Sequence, residues 1–229
     1  VIAARLAEVR ARIVAAARSA GRDPQSVRLV AVSKTVTVEG IREAYAAGQR
    51  EFGENRVQEA LQKMGGTADL QIGWHLLGHV QTNKARKAAS AFATIHSVDS
   101  LDLLHRIDTA AGRSGTTPEL LIQVDVAGEA SKFGAAPAEV PRLLEAASRL
   151  EAATVVGLMV LPPMAREPEE ARPWFRRVCA LRDGWLADGV PASRLRELSM
   201  GMSGDFEVAI QEGATIVRVG TAIFGSRHV

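Results

Sequence analysis

Eight short runs of strand length, the first seven each followed by a turn and then a stretch with apolar residues at helical spacing, set the limits on how this chain can fold. In order they are VRLVAVSKT (27–35), REFGEN (50–55), GWHLLG (73–78), TIHSVD (94–99), ELLIQVDV (119–126), ATVVGLMVL (153–161), ELSMG (197–201) and IVRVGTAIFG (216–225). Several are apolar at odd and even positions alike, the pattern of a parallel strand covered on two faces. Parallel neighbours need a right-handed crossover, and the intervening helices supply it. Eight such units predict an α/β fold, a (β/α)8 TIM barrel, with 1–229 as a single domain. Ahead of the first strand, Ile2, Leu6, Val9 and Ile13 recur at helical spacing with charges between them. They predict an extra amphipathic N-terminal helix, stopped by Gly21, Asp23 and Pro24. A doubly wound open sheet is the competing arrangement. The chain has no GxGxxG turn after its first strand, which counts against the dinucleotide-binding form of that sheet.

With 229 residues, 47% of them hydrophobic, the chain is long enough for one large core. A net charge of +2 gives no reason to expect a nucleic-acid partner, and the densest basic cluster, Lys84, Arg86 and Lys87, reads as a solvated helix face. The single cysteine, Cys179, excludes an internal disulfide and reads as a packed thiol in a reducing compartment. Arg5, Glu8, Arg10 and Arg12 interrupt the N-terminal stretch, so it reads as neither a signal peptide nor a membrane span. The expectation is a soluble, cytoplasmic protein with no membrane partner. His75 and His79 stand four apart with no carboxylate at suitable spacing, so no metal site is expected, and packing and turn roles are their plain alternatives.

Of the 28 lysines and arginines only five are lysine. One of them, Lys34, closes the first run on the same parity as Val30 and Val32, and so on the same strand face. An amine there can form a Schiff base with an aldehyde, or it can simply end the strand and snorkel to water. In a barrel the C-terminal strand ends share the rim where active sites sit. That rim collects Lys34, Asn55, the loop after Gly78, Met159, residues 199–203, and Arg218 with Gly220 and Thr221. The stretch SMGMSGD (199–205) ends a strand and opens a helix. Its Gly201 and Gly204 permit close backbone approach, N–H groups at a helix start attract phosphate, and Ser203 adds a hydroxyl. An ordinary serine cap is the alternative. Gly220 and Thr221 offer similar groups in the next loop, and barrels often bind phosphate between the loops after strands seven and eight. Arg218 lies between Val217 and Val219, where a guanidinium needs a partner. That partner is a carboxylate such as Glu197 or Asp125, or else a bound heterocycle.

Taken together, AVSKT, FGENRVQE, WHLLGHVQTNK, SKFG, LSMGMSGDFEVAI and VRVGTAIFG resemble the pyridoxal 5′-phosphate (PLP) homeostasis proteins, single-domain relatives of the alanine racemase N-terminal barrel. The resemblance runs along nearly the whole chain and implies PLP as the cofactor, with Lys34 as its Schiff-base lysine. It implies Ser203, Gly220 and Thr221 as phosphate ligands, and Met200 and Gly201, beside Ser199, as phosphate-loop backbone. Arg218 becomes the partner of the pyridine nitrogen, and Asn55 a residue beside the cofactor. The segment GLMVLPP departs from the commoner family form, which has a small or hydroxyl residue after the Met. An arginine at the ring nitrogen disfavours its protonation and weakens the ring as an electron sink. Racemisation also needs a second base, which in the racemases is a tyrosine from a C-terminal domain. The only tyrosine here, Tyr45, reads as a helix residue with a core or interface role. The implied protein is a monomeric PLP carrier in intracellular vitamin B6 homeostasis, serving PLP-dependent apoenzymes, without strong catalytic activity or an assigned catalytic residue. A PLP-dependent amino-acid racemase is the alternative, and a lysine aldolase or phosphosugar isomerase on the same barrel is a third class.

Overall fold

The eight runs fold as eight parallel strands: β1 (Arg28–Val32), β2 (Glu51–Glu54), β3 (Gly73–Leu76), β4 (Thr94–Val98), β5 (Glu119–Gln123), β6 (Thr154–Met159), β7 (Glu197–Ser199) and β8 (Ile216–Val219). In this computed structural model, which describes residues 1–128, 133–164 and 166–225, the strands pair in chain order and β8 returns to β1, closing a barrel. The crossovers carry α2 (Val38–Ala46), α3 (Val57–Gly66), α4 (Ala85–Ala91), α5 (Leu101–Ser114), α6 (Val140–Ala146), α7 (Arg172–Ala187) and α8 (Phe206–Gln211). The extra N-terminal helix is present as α1 (Ile2–Ser19), which buries Leu6, Val9, Ile13, Ala16 and Ala17. It packs across α8 and the short α9 (Thr221–Phe224), on the flank where β8 meets β1. Among the described residues no helix is long and apolar enough to cross a membrane.

Side-chain alternation, interrupted by register shifts in the β4–β5 and β5–β6 pairs, sorts the strand residues between two cores. Val30, Leu121, Val156, Met159 and Ile216 fill the barrel interior. Ala31, Phe52, Leu76, Ile95 and Leu120 belong to the larger layer between sheet and helices. The two populations explain why the strands read as apolar at both parities. Short polar devices start the helices: Thr37 Oγ1 accepts the Gly40 N–H at 3.3 Å, and Ser100 Oγ accepts the Leu103 N–H at 3.4 Å.

The strands are shorter than the apolar runs that announce them. The largest difference is in IVRVGTAIFG, where β8 stops at Val219 and the segment after Gly220 turns into α9. The Phe224 N–H bonds to the Gly220 carbonyl at 2.9 Å, a helical pairing that an extended strand would forgo. Gly65 and Gly66 close α3. Tyr45 falls in the last turn of α2.

Candidate cofactor site

At the C-terminal ends of the strands the barrel opens into a cavity of about 1150 Å³. It is lined by Lys34, Asn55, Ser203, Arg218, Gly220 and Thr221 among others. Three further residues read from sequence as part of this site, Ser199, Met200 and Gly201, do not line it. Ser199 is buried in the barrel interior, and Met200 is buried in the outer layer. Gly201 is a structural hinge: its φ is 92°, and a Cβ there would stand 2.6 Å from the Ala209 Cβ and 2.9 Å from the Phe206 Cα. Asn55 is exposed on the loop after β2, and its carbonyl runs so close to Gly78 that a Cβ on Gly78 would lie 2.1 Å from it. This contact ties the loops after β2 and β3 together at the rim.

Lys34 lies two residues beyond the end of β1, half-buried in a turn rather than within the strand. Its parity with Val32 survives the turn, since both reach the cavity. The next residue, Thr35, has φ 66°, the only non-glycine in the left-handed region among the described residues. Such a backbone costs an L-residue about 1–2 kcal/mol. The turn is held from below by a buried cluster. Lys63 Nζ donates to the Ser33 carbonyl at 2.6 Å, to Glu54 Oε1 at 2.8 Å and to Glu59 Oε1 at 2.7 Å. Glu59 Oε1 also accepts the Thr35 N–H at 2.6 Å, and Ser33 Oγ donates to Glu54 Oε1 at 2.6 Å. Burial pushes the Glu54 carboxyl above its ordinary pKa, against the pull of Lys63 and Ser33. Burial acts the same way on Glu59, but there Lys63 and the Thr35 amide outweigh it and the carboxyl is held below its ordinary range.

Arg218 forms part of the cavity floor, 3% exposed. Neither Glu197 nor Asp125 is its hydrogen-bond partner. Its Nη1 donates to Ser199 Oγ at 2.6 Å and its Nη2 to the Val160 carbonyl at 2.9 Å. Glu197 is engaged elsewhere, with Arg28 and with the Thr215 hydroxyl. Burial lowers the guanidinium pKa to about 10, with Asp205 opposing the shift, so the group is still a cation at neutral pH. GLMVLPP thus contributes a backbone carbonyl through Val160, while Met159 packs in the barrel interior.

Behind Ser199 the polar chain continues. Ser199 Oγ is 2.8 Å from His96 Nδ1, His96 Nε2 is 2.9 Å from His75 Nδ1, and His75 Nε2 is 3.6 Å from Glu51 Oε1. One proton arrangement gives each short hydrogen bond of this chain a donor and an acceptor and leaves His75 Nε2–H facing Glu51. Ser199 accepts from Arg218 and donates to His96 Nδ1, His96 donates from Nε2 to His75 Nδ1, and His75 presents Nε2–H to Glu51. The reverse direction would leave the Ser199 hydroxyl hydrogen without an acceptor. Burial, then the neighbouring His75 ring and the Arg218 and Arg28 cations, pushes His96 well below its ordinary pKa of 6.5. Among the described residues no group of three or more His, Cys, Asp or Glu side chains is placed to hold a metal ion.

On the far side of the cavity, the loops after β7 and β8 are joined by one hydroxyl. Ser203 Oγ accepts the N–H of Gly220 at 3.2 Å and that of Ala222 at 3.4 Å, and Asp205 Oδ1 accepts the Met202 N–H at 2.6 Å. Within the described residues the N–H groups of Ser203, Gly204 and Thr221 have no acceptor, and all three residues line the cavity. Unpartnered N–H groups converging from two loop ends form an anion cradle. At the mouth, His79 stacks on Phe133 with ring centroids 3.7 Å apart and lies 3.5 Å from Asp99 Oδ2. Ser131 and Lys132 of SKFG lie outside the described residues. Sequence reasoning missed the Glu54–Glu59–Lys63 cluster and the chain from Ser199 to Glu51. The first had a trace in the i,i+4 spacing of Glu59 and Lys63; the second joins four separate strands and has none.

A family model described as "Alanine racemase, N-terminal domain" matches residues 5–228. The pyridoxal phosphate homeostasis protein of Aquifex aeolicus is 44% identical, covering 97% of this chain and 97% of its own length. That of Pseudomonas aeruginosa is 46% identical over 99% of this chain and 96% of its own. PipY of Synechococcus elongatus, solved without PLP and with PLP bound, matches with TM-scores of 0.88 and 0.84 at 45% and 44% identity, covering 98% of this chain and 100% of PipY. Alanine racemase from Clostridium difficile shares the fold alone, with a TM-score of 0.71 at 16% identity, over 89% of this chain and 53% of that one. A closed eight-stranded barrel with a lysine and an anion cradle facing one cavity, matched along its length by these relatives, belongs to the alanine racemase N-terminal domain family and, within it, to the pyridoxal phosphate homeostasis proteins.

Proposed function

We propose that this chain binds PLP in the cavity, holds it as a Schiff base on Lys34, and serves cytoplasmic PLP homeostasis without strong catalytic turnover. The observation that carries the reading is the juxtaposition of three unlike groups around one space: a lysine amine, an anion cradle and a buried guanidinium. When bound, PLP supplies an aldehyde carbon, a pyridine ring and a phosphate. Lys34 Nζ condenses with the aldehyde, forming the C=N bond and releasing water. The N–H groups of Ser203, Gly204 and Thr221 receive the phosphate. Arg218, still a cation at neutral pH, donates to the ring nitrogen and so keeps it unprotonated, which suits storage better than carbanion chemistry.

Tyr45 supports the reading without turnover. Its hydroxyl accepts the Gln71 N–H at 3.3 Å, and its ring lies under the Arg50 guanidinium, 3.9 Å from the centroid. It is not among the residues lining the cavity, so it is not placed as a second base there. The working form in this reading is a monomer whose PLP passes to dependent apoenzymes. Mixing purified protein with PLP is expected to produce a visible absorption band, and borohydride is expected to fix the added mass on Lys34. Lys34→Ala loses both. A wild-type protein that takes up no PLP overturns the proposal, and rapid deuterium wash-in at Cα of alanine would instead favour the racemase.

A further inference from the structure

The cluster beneath the Lys34 turn contributes nothing by direct contact with the cavity, since neither Glu54, Glu59 nor Lys63 lines it. A buried lysine between two glutamates is also an inefficient way to gain stability, because desolvation cancels much of the attraction. Its bonding pattern points elsewhere. Lys63 grips the carbonyl of Ser33, and Glu59 grips the N–H of Thr35, so the cluster bonds the backbone on both sides of one residue, Lys34. It does so where Thr35 holds φ at 66°, a conformation that would relax if its N–H were released. Glu54 completes the arrangement from β2 by joining Lys63 to the Ser33 hydroxyl. All three acidic and basic residues come from FGENRVQE and the helix it opens, a motif that the cavity otherwise uses only through Asn55.

We propose that Glu54, Glu59 and Lys63 are positioning residues: a partly buried clamp that fixes the Ser33–Thr35 backbone and thereby aims Lys34 into the cavity. The proposal rests on the reading that Lys34 carries PLP, and its test has an arm independent of that cofactor. In the protein without PLP, the Thr35 amide, although on an exposed turn residue, is expected to exchange with deuterium at least about tenfold more slowly than an unbonded surface amide. Glu59→Ala, at a partly exposed position, removes the acceptor while leaving Lys63 paired with Glu54. It is expected to restore fast Thr35 exchange, weaken PLP affinity about tenfold and slow Schiff-base formation, because loss of aim costs reactivity. Glu59→Gln keeps an oxygen facing the Thr35 N–H and is expected to stay within about threefold of wild type. Circular dichroism checks that both variants are folded. Fast Thr35 exchange in the wild type overturns the clamp, as does Glu59→Ala with wild-type affinity and rate. A wild type that binds no PLP yet protects Thr35 overturns the reading of the cavity and still supports the clamp.

Discussion

Ser199 illustrates how much one hydroxyl can settle inside a barrel. It takes the Arg218 donor at 2.6 Å and faces His96 Nδ1 at 2.8 Å, with 1% of its own surface exposed. Ser199→Ala leaves a buried guanidinium donor and a buried imidazole nitrogen unpaired, and is expected to cost about 1–3 kcal/mol in urea unfolding. It also frees Arg218 from one of its two anchors, so the spectrum of bound PLP is expected to change as well. The sequence disclosed Lys34 more readily than Ser199. Lys34 shares a strand face with Val30 and Val32, a local relation that alternation makes visible. Ser199 meets His96 across 103 residues of sequence, and no spacing rule reaches that far. Its position at the head of a glycine-rich stretch suggested the anion loop, but the strand carries its side chain inward first. The partners of Arg218 were hidden for a related reason: one is a backbone carbonyl, at Val160, which no side-chain pattern marks.

Among the elements, the β7–α8 connection depends on a single glycine. Gly201 is in the left-handed region with Ala209 and Phe206 pressed against the place a Cβ would occupy. Gly201→Ala is expected to destabilise the protein by about 2 kcal/mol or more, through both strain and overpacking, seen as a lowered Tm and weakened PLP uptake. The strands were legible because several bury apolar residues on both faces, as β1, β5 and β6 do, and because helical patterns separate the rest. Their ends were less so. TAIFG carries the β-branched and aromatic residues that favour strands, yet forms α9, because Gly220 turns the chain at the rim and helical bonds take over. The Glu59–Lys63 pair shows the complementary difficulty. At i,i+4 on α3 it has the spacing of an ordinary surface pair, and only the packing of α3 against β2 buries its Lys63 end.

For the molecule as a whole, the barrel interior makes stability depend on pH. Below the ordinary histidine value of 6.5 the unfolded chain takes up a proton on His96 that the folded interior refuses. The unfolded state then binds more protons, so stability falls as pH drops from about 6.5 toward the depressed folded value, by up to about 1.4 kcal/mol per pH unit. Urea titrations at several pH values check this, and His96→Gln is expected to flatten that part of the slope. An unaltered slope would count against a neutral His96. The closure of the cylinder adds a last consequence. At the β7–β8 join a single register pair, Ser199 with Ile216, links the two short strands, and the Arg218 side chain reaches across the same seam to Ser199. Arg218, on the cavity floor, is therefore also a stitch where the staves join, so its removal is expected to loosen the cylinder as well as reshape the pocket.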